Sequence, residues 1–334
     1  PWVKGLSAKA LIAYDPKYHT DKMLKKQYKT YRYNADAKSY DVVTTSSLAS
    51  VTEWRSNTAT PTTQLSLNYE TSIKNKHNLK ALLLFETRKW ETSELSGSRN
   101  TLMDAVDQIY AGLVDDARSV NGSADRNSNM GLVGRVDYDF LSKYLVQASF
   151  RLDGSSKFRN KKWGFFPSFS AAWRVSEEAF MKDIKWISNF KIRLGWGTVG
   201  NDNIPNYLSL DLYEANKYGI GNSSVTVLNP KQLRNKNLKW EGSNTTNLGI
   251  DLGFFDNRLN VTAEFFIKNT KDLLLSQSLA HITGFDSQMQ NVGKIQNKGI
   301  ELSLNSTNIQ TRNFTWQTNF NISFIRNTLK SLAS

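Results

Sequence analysis

The feature that most restricts this chain is a two-residue alternation of apolar and polar side chains, held over unusually long runs. Leu132, Gly134, Val136, Tyr138 and Phe140 fall on one parity, and a mostly charged set containing Arg135, Asp137 and Asp139 falls on the other. After Leu141-Ser142 the pattern restarts, with Tyr144, Val146, Ala148, Phe150 and Leu152 set against Lys143, Gln147, Ser149, Arg151 and Asp153. Successive strand side chains point to opposite faces, so alternation on both sides of a tight connection predicts a β-hairpin. The pattern recurs in Phe190–Trp196, in Leu248–Phe254 leading through Asp256-Asn257 into Leu259–Ile267, and in Phe314–Phe324. It is weaker in Leu65-Leu67-Tyr69 and Leu79–Phe85. Only Ser176–Lys182 reads as a helix, with a serine cap and acids in its first turn.

Strand length separates two architectures. Soluble sandwiches and propellers use strands of about 5–6 residues, whereas a tilted strand crossing a bilayer needs about 9–11. The runs are of the second size. Composition agrees: 39% hydrophobic and 12% aromatic residues exclude a disordered tail, and no apolar run is long enough for a transmembrane helix. Strands that are apolar on one face only keep the mean hydropathy at −0.49. The absence of cysteine removes disulfides, thiolate metal sites and cysteine nucleophiles, and His19, His77 and His281 are too scattered for a zinc site. The chain starts Pro1-Trp2-Val3, without initiator Met or signal segment, which reads as a mature form or an excerpt.

Thirteen strands are expected, near 5–14, 28–33, 40–51, 62–73, 78–90, 129–140, 143–153, 163–175, 186–196, 241–255, 259–271, 291–305 and 313–326. Their connections mostly alternate long and short, as in membrane barrels. The parity groups 91–128, 154–162, 197–240 and 272–290 on one side, assigned to the cell exterior, opposite the tight Leu141-Ser142 and Asp256-Asn257. Tyr138, Phe140, Tyr144, Phe254 and Phe255 flank the tight turns, while Trp163, Phe165, Phe166 and Trp196 lie towards the long loops, as interfacial girdles should. An odd strand number leaves raw edges that hydrocarbon does not tolerate, so 1–334 is read as part of a larger barrel.

Several ordered segments resemble the SusC/RagA-like TonB-dependent transporters of Bacteroidota outer membranes. They are Asp107–Leu113, Val133–Tyr138, Tyr144–Arg151 with Asp153–Phe158, Trp163–Ser168 with Ala172–Glu178, Leu238–Glu241, Asp251–Leu259 and Asn291–Leu302. The resemblance implies an all-β, antiparallel transmembrane barrel of 22 strands around an N-terminal plug. This chain would supply about thirteen of those strands, without the plug. The resemblance further implies a SusD-like surface lipoprotein as partner, coupling to TonB through a region outside this chain, and import of oligosaccharides or peptides. Gly195–Asn201 departs slightly from the family pattern, with Trp196 where tyrosine and Val199 where threonine are usual.

Other chemistry is weakly supported. Gly195–Gly200 fits G-x-G-x-x-G, but a dinucleotide site needs a helix to begin there and Asn201–Pro205 reads as loop. The 91–128 segment carries Glu91, Glu94, Asp104, Asp107, Asp115, Asp116 and Asp125 without calcium-loop spacing, so a solvated loop is expected. The Asn-x-Ser/Thr triplets at Asn244, Asn260, Asn313 and Asn321 lie mostly in strands and reflect a polar face. No nucleophile or carboxylate constellation points to an enzyme, and no cofactor is expected.

The net charge of +13 is spread over strand positions such as Arg135, Arg151, Lys191, Arg193 and Lys268 and over Lys157–Lys162. That dispersion argues against nucleic acid and suits attraction of lipopolysaccharide or acidic cargo at the rim. Lys161 and Lys162, with the loop aromatics Tyr207, Tyr213 and Tyr218, are the candidate cargo or partner contacts. The reading is a nutrient-importing barrel wall in the outer membrane; the rival is a soluble, secreted β-rich binding or adhesion protein whose alternation packs a sandwich.

Overall fold

The computed structural model describes residues 3–45, 48–101, 107–113 and 118–332. Seventeen strands are assigned among them: β1 Leu6–Lys25, β2 Lys29–Asn34, β3 Ser39–Thr45, β4 Ala49–Ile73, β5 His77–Thr101, β6 Ser119–Phe140, β7 Tyr144–Ser155, β8 Trp163–Arg174, β9 Ile187–Asn201, β10 Tyr213–Ile220, β11 Ser223–Pro230, β12 Glu241–Phe254, β13 Leu259–Lys271, β14 Leu274–Ser278, β15 Ser287–Asn291, β16 Lys294–Gln310 and β17 Thr315–Ser331. Eleven join one sheet in the order β1-β4-β5-β6-β7-β8-β9-β12-β13-β16-β17, and the others form the hairpins β2-β3, β10-β11 and β14-β15. The wall is thus a meander in which each strand pairs with the next wall strand in sequence. The chain divides into two compact units, one of Pro1–Leu11, Thr63–Thr87 and Ser128–Ser334, the other of Ile12–Thr62 and Arg88–Asn127.

In the first unit the register carries the alternation across the whole sheet. Tyr138, Val146, Ala171, Leu194, Leu248, Phe265, Ile300 and Phe324 sit opposite one another in turn from β6 to β17. The parallel row on the other face is Arg135, Ser149, Ser168, Gly197, Thr245, Lys268, Asn297 and Asn327. A one-residue slip anywhere would exchange the faces, so hydrophobic patterning fixes this register.

The apolar face is not a core. Leu194 is 50% exposed, Leu248 45%, Phe265 43%, Ile300 53% and Phe324 66%. A sandwich would bury this face against a second sheet. A contiguous exposed apolar band built on strands of membrane-crossing length is instead a surface made for lipid. Aromatic rings mark the tight-turn end of the band: His77 lies tilted against Phe140 at 4.8 Å, Phe140 lies 6.3 Å from Tyr144, and Trp186 stacks on Phe254 at 5.7 Å.

The tight turns use left-handed backbone. Leu141 and Ser142 have φ of 56° and 55°, and Lys143 donates its N–H to the Phe140 carbonyl at 3.0 Å, a type I′ geometry whose twist matches the flanking strands.

The second unit is held mainly by polar contacts. Val51 and Ala49 are buried, Lys22 bridges Glu53 and Asp107 at 3.5 and 3.2 Å, and Arg99 donates to the carbonyls of Ile109 and Tyr110.

Several expectations need correction. The stretches 28–33 and 40–51 are not wall strands: the first lies in β2, the second covers most of β3 and the start of β4, and β2 and β3 form their own hairpin. Removing those two leaves the eleven wall strands. The segment 91–128 is not a loop throughout, because β5 continues to Thr101 and β6 begins at Ser119. Polar strand there carries no apolar period, so alternation could not reveal it. Asp104, Asp115 and Asp116 lie outside the described residues. The loops 197–240 and 272–290 contain β10-β11 and β14-β15. Gly195–Gly200 lies inside β9, where no helix starts.

Ser176–Lys182 is not an α-helix. Two 3-10 turns, Val175–Glu177 and Ala179–Met181, flank an extended Glu178 at φ −75°, ψ 151°. The reason is the Glu178 carboxylate, which accepts from Tyr144 Oη at 2.6 Å, Lys143 Nζ at 3.2 Å and Trp173 Nε1 at 3.2 Å. These bonds, the Tyr144 hydroxyl first, hold its carboxyl below the ordinary carboxylate range. A lowered folded-state pKa contributes stability that is present above the ordinary carboxylate value and is lost as pH falls through the folded one. Acidification is therefore expected to loosen the 175–186 turn, read as lower amide protection factors there once the intrinsic pH dependence of exchange is divided out, and Glu178→Gln is expected to make those protection factors insensitive to pH. Identical pH profiles for the two proteins would refute the assignment.

Candidate functional site

The connections 156–162, 202–240 and 272–293 all leave the same end of the first unit, since each joins strands of the same two directions in an antiparallel meander. They are packed together. Phe158 and Leu238 are fully buried and Ile204 nearly so, with Leu208, Trp240, Leu274 and Met289 against them. Trp240 is the link: its ring lies 5.6 Å from Phe158 and 5.5 Å from Phe166, and its Nε1 donates to the Lys162 carbonyl at 2.8 Å. The Phe166 ring fills space left by two glycines, since a Cβ on Gly164 or Gly200 would come within 2.3 or 2.1 Å of it.

Polar contacts complete the knot. Asp202 accepts from Ser155 Oγ at 2.7 Å and Asn129 Nδ2 at 3.0 Å, and its carbonyl takes Lys157 Nζ at 3.1 Å. Asn291 joins the last two connections, accepting from Lys239 N at 2.9 Å and donating to the Lys239 and Asp272 carbonyls at 2.8 and 3.0 Å. Lys239 pairs with Asp272 at 2.8 Å. The polar groups named here all find partners, as buried polar groups must.

The polar wall face carries paired charges. Arg193 donates Nε and Nη2 to Asp251 at 2.8 and 3.1 Å, Thr262 adds a bond at 3.2 Å, and Glu264 lies 4.0 Å from the guanidinium. Gly249 makes room for it, since a Cβ there would meet the guanidinium at 2.8 Å. Arg151 makes the same fork on Asp153 and reaches Glu86 at 3.8 Å, and Glu86 also accepts from Gln64. A hollow of about 430 Å³ on this wall is lined by Lys80, Asp137, Gln147, Ser170, Arg193 and Asn247 among others. Such a surface can hold water and guide polar solute by hydrogen bonds.

The sequence-predicted contacts are not brought together. Tyr213 and Tyr218 lie on β10, 62% and 61% exposed, and an odd separation puts them on opposite faces of the β10-β11 hairpin. Tyr207 is half-buried at φ 67°, its carbonyl taken by Gln232 Nε2 at 3.0 Å. Lys161 and Lys162 are exposed beside the knot, where the Lys162 carbonyl anchors Trp240. What the sequence reading missed is the knot itself. Its signal was available, because Phe158, Phe166, Leu238 and Trp240 all fall within the segments that carry the resemblance.

Comparison with known proteins agrees with this geometry. The chain is 36% identical over 286 residues to TonB-dependent receptor P3 of Formosa agariphila, covering 84% of this chain and 28% of that protein. It is 38% identical over 222 residues to TonB-dependent receptor SusC of Bacteroides thetaiotaomicron, covering 64% of this chain and 22% of that one. In solved structures, the RagAB peptide transporter superposes with a TM-score of 0.86 at 26% identity, over 99% of this chain and 35% of the matched chain. The chain therefore spans about a quarter of the length of its curated relatives. Residues 7–332 match the family model described as TonB dependent receptor-like, beta-barrel; the chain belongs to that family and is a length of outer-membrane β-barrel.

Proposed function

We propose that the chain is the wall of an importer that brings oligosaccharides or peptides across the outer membrane, working with a SusD-like lipoprotein at its long-loop end and drawing on TonB through parts of the protein beyond this chain. The observation that carries the reading is the packed knot of long connections, in which Phe158, Leu238 and Trp240 lie within the segments that resemble SusC/RagA-like proteins. A fixed platform at the loop end suits a partner that must seat repeatedly, because preorganised surfaces lose less entropy on binding. The paired charges of the polar face suit polar cargo, which meets fixed hydrogen-bond partners without a trapped unpaired charge.

On this reading the long-loop end faces outward. Tyr207, Tyr213, Tyr218, Lys161 and Lys162 are offered to partner, cargo or lipopolysaccharide, and their spread over several surfaces suits a broad partner contact better than one small pocket.

The test is genetic and biochemical. Deleting the full-length receptor is expected to abolish growth on one class of glycan or peptide as sole source, and affinity purification of the tagged receptor is expected to bring down a surface lipoprotein. Normal growth on every such source, together with a receptor that purifies alone, would contradict the proposal.

A further inference from the structure

The face of the wall that carries Leu194, Leu248, Phe265 and Ile300 holds its charge in one place. On β7, β8, β9, β12, β13 and β16 the residues of that parity include no Asp or Glu, and the charged ones are Lys271 of β13 with Lys294 and Lys298 of β16. All three stand at the long-loop end, beyond the apolar rows. Lys298 is one step past Ile300 on the same face, and Lys294 lies about 13 Å further along the extended strand. The polar face is built otherwise, with cations and carboxylates interleaved as in Arg193, Asp251 and Glu264. Asp272, next in sequence to Lys271, is taken by Lys239 at 2.8 Å.

Register makes the arrangement costly by itself. Lys271 sits directly opposite Lys294, and Lys298 directly opposite Arg326 of β17. Like charges facing each other across a strand pair are destabilising. A general fringe of basic residues does not account for them, because the positions of the same parity at this end of β7, β8, β9 and β12 are Gly154, Trp163, Gly200 and Gly242. β13 and β16 are each hydrogen-bonded on both sides, so further strands of the barrel join in the plane of the sheet, beside β17, and not on top of these lysines.

We propose that the patch formed by Lys271, Lys294 and Lys298 binds the phosphorylated lipid A headgroup of lipopolysaccharide; the inference rests on the outward placement of the long-loop end under the reading above. Such a lipid matches both parts of the surface. Its acyl chains lie along the rows of Phe265, Ile267, Ile300 and Leu302, and its phosphate enters between facing cations and cancels their repulsion. Lysine suits the position, because its stem covers apolar surface while its ammonium reaches the headgroup. The lipid is a resident of the wall and not cargo, since it occupies the opposite face from the polar one.

The test uses the full-length receptor in detergent, titrated with lipid A, with the same lipid A after enzymatic removal of its phosphates, and with phosphatidylglycerol, bound lipid being counted by native mass spectrometry. The parent is expected to bind phosphorylated lipid A about tenfold or more tightly than the dephosphorylated form. Lys271→Gln/Lys294→Gln/Lys298→Gln is expected to lose that preference, and Lys271→Arg/Lys294→Arg/Lys298→Arg to keep it. Equal binding of the two lipid A forms by the parent, or a preference that survives the glutamine substitutions, would overturn the proposal. So would a loss confined to phosphatidylglycerol, which would assign the cations to a phospholipid leaflet. Orientation is checked separately by His281→Cys in a receptor otherwise free of cysteine: an impermeant maleimide is expected to label it in intact cells, and absence of labelling would overturn the outward placement itself, whatever the lipid titration gives.

Discussion

Leu248→Arg is expected to destabilise the full-length receptor in a bilayer by about 2–4 kcal/mol, while Thr245→Arg, three residues away on the same strand, changes stability by less than about 0.5 kcal/mol. Leu248 lies near the middle of β12, between Leu194 of β9 and Phe265 of β13 in the apolar row, and 45% of it is uncovered by protein. In lipid that uncovered surface faces hydrocarbon, and a guanidinium there must be desolvated or drag water in. Thr245 sits between Gly197 and Lys268 in the polar row, where an added arginine stays wet. Urea unfolding in vesicles, followed by the gel shift between folded and unfolded barrel, reads both values. Equal losses would mean that the two faces meet the same solvent.

Phe158→Ala is the second large effect. Phe158 has no exposed surface and holds Trp240, so removing its ring leaves a cavity that the surrounding backbone, tied by Asp202 and Asn291, cannot close. The cost of such a truncation is about 3–5 kcal/mol. Because the knot is a local cluster on a separate hydrogen-bonded wall, the loss is expected as local opening and not as barrel unfolding. Amide exchange should accelerate across 156–162, 202–212 and 231–240, with β12 and β13 unchanged. Lys161→Ala, at an exposed position of the same loop, should leave all of it unchanged. Exchange in Phe158→Ala indistinguishable from the parent would remove the knot from the account of the loop end.

These two sites mark what the residues reveal before any coordinates. The lipid face was legible because it imposes a strict period: Leu248, Ile250 and Leu252 have to point one way for the strand to cross. Eleven wall strands were located on that signal. Where the constraint ends, so does the signal. Ser93 to Ser98 continues β5 with polar residues at most positions, and the strand is set by pairing with its neighbours, not by burial. The β10-β11 hairpin is exposed at almost every position, yet Gly221-Asn222 between β-branched or aromatic runs was a two-residue hairpin signal passed over.

The Ser176–Lys182 misreading has another origin. Local cap chemistry favoured a helix, and a distant demand won: Tyr144, Lys143 and Trp173 all need the Glu178 carboxylate, and reaching it holds Glu178 extended. The knot was hidden for the same kind of reason. Phe158 and Leu238 are eighty residues apart and meet only after the strands between them have paired. The tyrosines chosen as contacts were picked for ring chemistry within one loop, and the hairpin turns two of them to opposite sides.

The most direct test uses the absence of cysteine in this chain, with any cysteine elsewhere in the receptor replaced by serine. Single cysteines placed in turn at 243 to 252 of the full-length receptor in liposomes, Gly249 and Asp251 left in place, each carrying a spin label, report lipid and water contact residue by residue. The wall described here predicts alternation: labels at 248, 250 and 252 collide with lipid-dissolved oxygen, and labels at 243, 245 and 247 with a water-soluble relaxer. Uniform exposure to the aqueous relaxer along the strand, without the two-residue period, would contradict it.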